Sequence, residues 1–224
     1  MISSVIFDFN GVIIDDETIH RDLFIQVLAP LGVPLSNEDY EHLYLGMDDR
    51  GCLSAAWSAA KGSGIPEKTL AELIEAKSSL YEKKMEAGLP LYDGAAELIR
   101  ALAGKVPLAI VSGALRPEIE NALARHSLAS HFAFIISAED TPRGKPDPSG
   151  YLLARQELLR RGLHRGGPEH IAVIEDSVQG IEAAKGAGLK AIGIGHTYPL
   201  ADLAQADLVV GHIRNLSPDT VLSL

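Results

Sequence analysis

Six short apolar runs constrain this 224-residue chain more than any other feature. Val5-Ile6-Phe7 is the first; "PLAIVSG" (107–113), "FAFIISA" (132–138), "HIAVIED" (170–176), "KAIGIG" (190–195) and "ADLVVG" (206–211) follow. Each is continuous rather than alternating in hydrophobicity and carries β-branched residues, so each reads as a strand buried on both faces. Amphipathic helical stretches such as "RPEIENALARH" (116–126) and "SVQGIEAAKGAG" (177–188) separate most of them. Such an alternation implies an α/β fold: a Rossmann-like parallel sheet with helices on both faces.

The alternation breaks once. After Asp8 no comparable strand appears for nearly a hundred residues. The stretch 16–88 reads instead as helices over Glu17 to Leu31, about Asp49 to Ala60, and Pro66 to Glu86. Gly32-Val33-Pro34 and Gly62-Ser63-Gly64 punctuate them as helix breakers. The expected organisation is a core of residues 1–15 and 89–224 with a helical insertion, a cap, at 16–88.

Totals remove several classes of function. A net charge of −10 argues against a general nucleic-acid binder, which needs a basic surface. No apolar stretch approaches the roughly 20 residues that span a bilayer. The start "MISSVIFDF" reads as a first strand rather than a secretion signal, and the single Cys52 fits a reducing compartment. A cytoplasmic monomer with no nucleic-acid or membrane partner is the expectation.

Polar residues gather where the strands end. Asp8 closes the first run and Ser112-Gly113 the second; Lys145 follows the third in "RGKPDP", and Glu175-Asp176 closes the fourth, with Ser177 as a helix N-cap. In a parallel sheet these ends face one crevice, where open α/β folds bind ligands. Three carboxylates suit a hard cation such as Mg²⁺ rather than zinc. A serine hydroxyl, adjacent amides and a lysine suit a phosphate. Singly, each has an ordinary reading as a turn cap or a solvated loop charge; the ordered set carries the argument.

That set, "DFNGV" (8–12), "VSGA" (111–114), "GKPDP" (144–148) and "IEDS" (174–177), resembles the haloacid dehalogenase-like superfamily, in its β-phosphoglucomutase-like phosphatase branch. The helical insertion after the first motif is similar to that branch's cap. The resemblance implies that Asp8 is a nucleophile forming an aspartyl-phosphate. It implies that Ser112, Gly113 and Ala114 hold phosphate oxygens and that Lys145 steadies nucleophile and phosphate. It further implies that Glu175, Asp176, Asp8 and the main-chain oxygen of Asn10 bind Mg²⁺. The implied activity is a phosphatase acting on a small phosphorylated metabolite, a sugar phosphate above all. A β-phosphoglucomutase-type phosphotransferase and a phosphometabolite-binding protein are the alternatives.

Residue 10 departs from the pattern, which has an aspartate there as general acid–base. Asparagine hydrogen-bonds but exchanges no proton at neutral pH. Three explanations stand: a weak enzyme or pure binder, an introduced replacement that traps a complex, or another proton donor, Asp16 or His20. Against the last, the run Asp15-Asp16-Glu17 also reads as a complement to a helix N-terminus, and His20 shares an apolar face with Leu23, Phe24 and Val27. Among cap residues, Lys77 lies on an apolar stripe between Leu73 and Tyr81. It either snorkels to water or, as the resemblance implies, contacts substrate. The mutase's cap arginine follows a glycine by three residues; here Asp49 holds that place after Gly46, and Arg50 comes one later. Arg116 is a further candidate anion contact or a surface residue at a helix start.

Overall fold

The structure, a computed structural model, describes every residue except Gly46 and Asp48, so the glycine of the cap comparison lies outside the described residues. The chain divides into two compact units, Met1–Asp15 with Leu89–Leu224, and Asp16–Gly88.

The first unit is built on a parallel sheet of β1 (Ser4–Phe7), β2 (Leu108–Val111), β3 (Phe132–Ile136), β4 (Ile171–Glu175), β5 (Lys190–Ile194) and β6 (Leu208–Val210). Their order is β3-β2-β1-β4-β5-β6, and every pairing is parallel. All six apolar runs are strands. β1 and β4 are buried along their whole length, which is why their sequences show no alternation. Phe7 pairs with Ile110 on one side and Ile174 on the other, so the residues after β1, β2 and β4 emerge at the same carboxyl edge.

The second unit holds α1 (Glu17–Leu28), α2 (Asn37–Asp39), α3 (Asp49–Lys61) and α4 (Glu67–Ala87). α1 buries Phe24, Val27 and Leu28 among Cys52, Leu53 and Ala56 of α3 and Leu70 and Leu73 of α4. The α-helix stops at Leu28, not Leu31, and continues as a 3₁₀ turn through Pro30, which has no N–H to extend the ladder. Gly32, at φ +63°, then ends it. α2 is additional to the expected helices. Ser36 and Asp39 form its capping box, and it runs on as a π-helical turn over Tyr40–Tyr44.

The first unit's helices are α5 (Ala95–Ala103), α6 (Arg116–Arg125), α7 (Ser149–Arg160), α8 (Val178–Gly186) and α9 (Pro218–Leu222). Tyr151, Ala154 and Leu158 of α7 and Ile181, Ala183 and Ala184 of α8 form one core with Ile6, Ala109, Val173 and Ala191 of the strands. Small side chains on α8 let it lie close to β4 and β5. No described helix is long and apolar enough to cross a membrane.

Candidate active site

The end of β1 delivers Asp8, and the end of β4 beside it delivers Glu175 and Asp176. One oxygen from each of the three buried carboxylates lies within 4.8 Å of the others. Lys145, between β3 and α7, donates to Asp8 Oδ1 and to Glu175 Oε1, each at 2.5 Å. Tyr151 donates its hydroxyl to Glu175 Oε1 at 2.7 Å, and its ring lies under the Lys145 ammonium. Glu175 Oε2 accepts the main-chain N–H groups of Asp176 and Ser177 and the Ser177 hydroxyl. Ser177 Oγ in turn accepts the N–H of Gly180, capping α8. Thr197, after β5, donates to Asp176 Oδ2.

Two glycines make this density possible. A Cβ on Gly11, at φ +74°, would collide with the Asp176 carboxylate, and one on Gly180 with that of Glu175. Gly180→Ala is therefore expected to push Glu175 aside and, through Lys145, to misplace Asp8. A displacement of about 1 Å costs about 10²-fold in rate; steady-state kinetics beside a melting curve checks it.

Burial pushes the Asp8 carboxyl up to about 7; Lys145 opposes that shift and Glu175 reinforces it. Burial, then the charges of Glu175 and Asp8, drive Asp176 well above the carboxylate range. Burial alone would lower Lys145, but Asp8 and Glu175 outweigh it and hold the ammonium charged. Three acids facing one lysine leave an excess of negative charge in a buried place. A hard dication would answer that excess, and the all-oxygen donor set fits Mg²⁺.

The remaining candidates at the sheet edge separate. Ser112 is buried after β2, and its Oγ accepts the N–H of Ala114 at 3.1 Å. Gly113 between them is exposed. Arg116 starts α6, but its guanidinium reaches Asp140 at 2.5 Å and the Ile135 carbonyl at 3.1 Å. Asn10 stands in the turn after β1, bridged to Ile14.

The helical unit brings His20 and Lys77 together and leaves Arg50 out. Asp16 is fully buried; its Oδ2 accepts from Tyr81 at 2.5 Å and from His20 Nε2 at 3.1 Å. Asp16 is the N-cap residue of α1 but makes no side-chain cap bond there. Lys77, only 2% exposed, donates to His20 Nδ1 at 2.8 Å and Asp49 Oδ1 at 2.6 Å, over the Phe24 ring. It does not snorkel. Both His20 nitrogens are engaged within this cluster. Arg50 pairs instead with the exposed Glu67 at 3.0 Å.

Tyr151, Thr197 and His196, which bonds the Gly11 carbonyl, are neighbours of the site that sequence reasoning missed. Thr197 follows a strand end, as Asp8 and Glu175-Asp176 do, and the same edge logic applied to "KAIGIGHT" reaches it. Tyr151 is one apolar-face residue among several in α7 and carries no such signal.

A carboxylate on a strand end, beside a lysine and two further acids, is the layout of an enzyme that moves phosphoryl groups. The chain belongs to the haloacid dehalogenase-like hydrolases, whose family model matches residues 2–188. It is 28% identical over 221 residues to the phosphorylated carbohydrates phosphatase of Thermotoga maritima, covering 99% of this chain and 97% of that protein. The crystal structure of CbbY from Rhodobacter sphaeroides in complex with phosphate matches at a TM-score of 0.81 and 28% identity, over 100% of both chains. An aspartate-to-asparagine mutant of CbbY in complex with xylulose-(1,5)bisphosphate matches at 0.77 and 28%, over 97% of each chain. The protein is an enzyme of the phosphatase and phosphotransferase type.

Proposed function

We propose that this enzyme is a Mg²⁺-dependent phosphatase of small phosphorylated metabolites, sugar phosphates above all, working through an aspartyl-phosphate on Asp8. The observation that carries the reading is the Asp8 carboxylate held by Lys145 at 2.5 Å within a cluster of three acids. The relatives support the substrate class, since one is a phosphatase of phosphorylated carbohydrates and another binds a sugar bisphosphate. Asp8, Asp176 and the main-chain oxygen of residue 10, with Glu175, would hold the metal, which screens the phosphate's charge from the carboxylates.

An Asp8 oxygen attacks phosphorus, the bond to the leaving oxygen breaks, and that oxygen takes a proton from solvent. Water then attacks the aspartyl-phosphate and gives up a proton to solvent, the Asp8–phosphorus bond breaks, and phosphate and the free carboxylate return. Lys145 stays charged throughout and offsets the build-up of charge on the transferred group. Ser112 and the amides near Gly113 and Ala114 receive phosphate oxygens at the same edge. His20 and Lys77, engaged with Asp16 and Asp49 inside the helical unit, take no part in these steps.

A mutase must grip each phosphate of a bisphosphate intermediate in turn. Here the Lys77 charge is met by Asp49, and Arg50 is drawn to Glu67, which favours hydrolysis. A phosphometabolite panel with Mg²⁺ tests this: phosphate release is expected, with no glucose 6-phosphate from β-glucose 1-phosphate. A chain that binds the panel and releases nothing is a binding protein instead.

Because the Asn10 amide neither ionises nor takes up a proton at neutral pH, rate should follow leaving-group acidity. Nitrophenyl or acyl phosphates, which leave unprotonated, are expected to turn over about 10²-fold or more faster than alkyl sugar phosphates. Equal kcat/KM on the two classes would show a proton donor other than residue 10.

A further inference from the structure

The main-chain oxygen of Asn10 keeps one direction only if the residue after it is held. Gly11 adopts φ +74°, and the nearness of Asp176 forbids a side chain that would stiffen it. His196, just past the end of β5, places Nδ1 2.7 Å from the Gly11 carbonyl. Its Nε2 accepts the main-chain N–H of Ile213 at 3.2 Å, so the hydrogen sits on Nδ1 and is donated to Gly11. Burial holds this imidazole down to about 4, and the neutral tautomer persists at pH 7.

The ring itself is clamped. It stacks on Tyr92 at 3.7 Å and 15° and meets His212 edge-on at 4.4 Å. The N–H of Tyr92 bonds the Ile13 carbonyl, two residues along the same loop. The residue after His196 is Thr197, whose hydroxyl holds Asp176.

We propose that His196 is a positioning residue for the phosphoryl-transfer site. By holding the Gly11 carbonyl it acts together with the Gly11 N–H, which donates to the Ile14 carbonyl at 3.0 Å, to fix the direction of the preceding peptide oxygen, while Thr197 beside it orients Asp176. One short loop after β5 thus aims two of the oxygens offered to the metal, a main-chain one and a carboxylate one. The inference rests on the Mg²⁺ reading of the site; the donor bond from His196 does not depend on that reading.

The test compares the full-length parent with His196→Phe and His196→Asn. Phenylalanine keeps the stack on Tyr92 and removes both hydrogen bonds; the asparagine amide restores a donor near Nδ1. His196→Phe is expected to raise the Mg²⁺ dissociation constant, read by calorimetry, about tenfold. It should lower kcat with little change in KM, and speed amide exchange in residues 9–15 of the metal-free protein. His196→Asn should recover most of each. A folded His196→Phe protein with parental Mg²⁺ affinity and parental exchange would overturn the proposal. Should that variant not fold, His196→Gln replaces it, since its longer amide reaches toward Ile213 rather than Gly11; equal affinity and exchange in the Asn and Gln variants is then the overturning result. A parent chain that binds no Mg²⁺ defeats the metal reading, and the exchange measurement, made without metal, still decides the role of His196.

Discussion

Asp8→Asn is expected to abolish turnover, by at least about 10⁴-fold, since an amide offers no nucleophilic oxygen in place of the carboxylate. The same change removes one of the three acids around the proposed metal, so Mg²⁺ affinity should fall with it. Stability should move the other way in metal-free protein. The Asp8 carboxyl is raised to about 7 in the fold, mainly by burial. A raised carboxyl stabilises fully below its unfolded value, and that contribution is lost as pH rises toward the folded one. In chelator, the parent should therefore melt progressively lower from about pH 4 to about pH 7, and Asp8→Asn should lack that part of the decline. Phosphate-release kinetics, Mg²⁺ calorimetry and melting in chelator check the three arms. Full activity in the variant would overturn the aspartyl-phosphate route.

Asn10→Asp should give the largest gain. Restoring a general acid–base is worth about 10²–10⁴-fold, and the effect should appear on alkyl phosphates while nitrophenyl phosphate hydrolysis changes little. No metal ligand is lost, because the oxygen assigned to residue 10 is main-chain. The turn gives little room for the same change by deamidation. The Gly11 nitrogen that would attack the Asn10 side chain already donates to the Ile14 carbonyl at 3.0 Å. Peptide mass spectrometry across residue 10 should find it intact while activity stays constant on storage. An unchanged alkyl-phosphate rate in Asn10→Asp would mean that proton transfer does not limit this enzyme.

The sheet was legible because strands buried on both faces write themselves as uninterrupted apolar runs, and "HIAVIED" needs no partner to be recognised. Asp8 and Glu175-Asp176 were legible for the same reason: a charge directly after such a run has nowhere to go but the edge. What escaped was decided by tertiary contact. The capping residues Ser36 and Asp39 mark a helix start, but nothing local announces the π-helical turn that buries Tyr40 and Tyr44. Lys77 read equally as a snorkelling side chain until Asp49, His20 and Phe24 were seen around it. Asp16 looked like a helix-dipole charge because its acceptor role depends on Tyr81, distant in sequence.

The two points where the chain leaves and re-enters the sheet unit lie side by side. Ile14 bridges Leu91 in antiparallel fashion, and the N–H of Asp15 meets the Pro90 carbonyl at 3.0 Å. To the strands, everything from 16 to 88 is the tip of a hairpin, whatever its length. Closing a long tip costs only slightly more entropy than closing a short one. An insertion tethered this way can be lengthened, rebuilt or exchanged over evolutionary time without disturbing a single rung of the ladder. The residues gathered at the strand ends are thereby insulated from whatever the chain carries beyond that clasp.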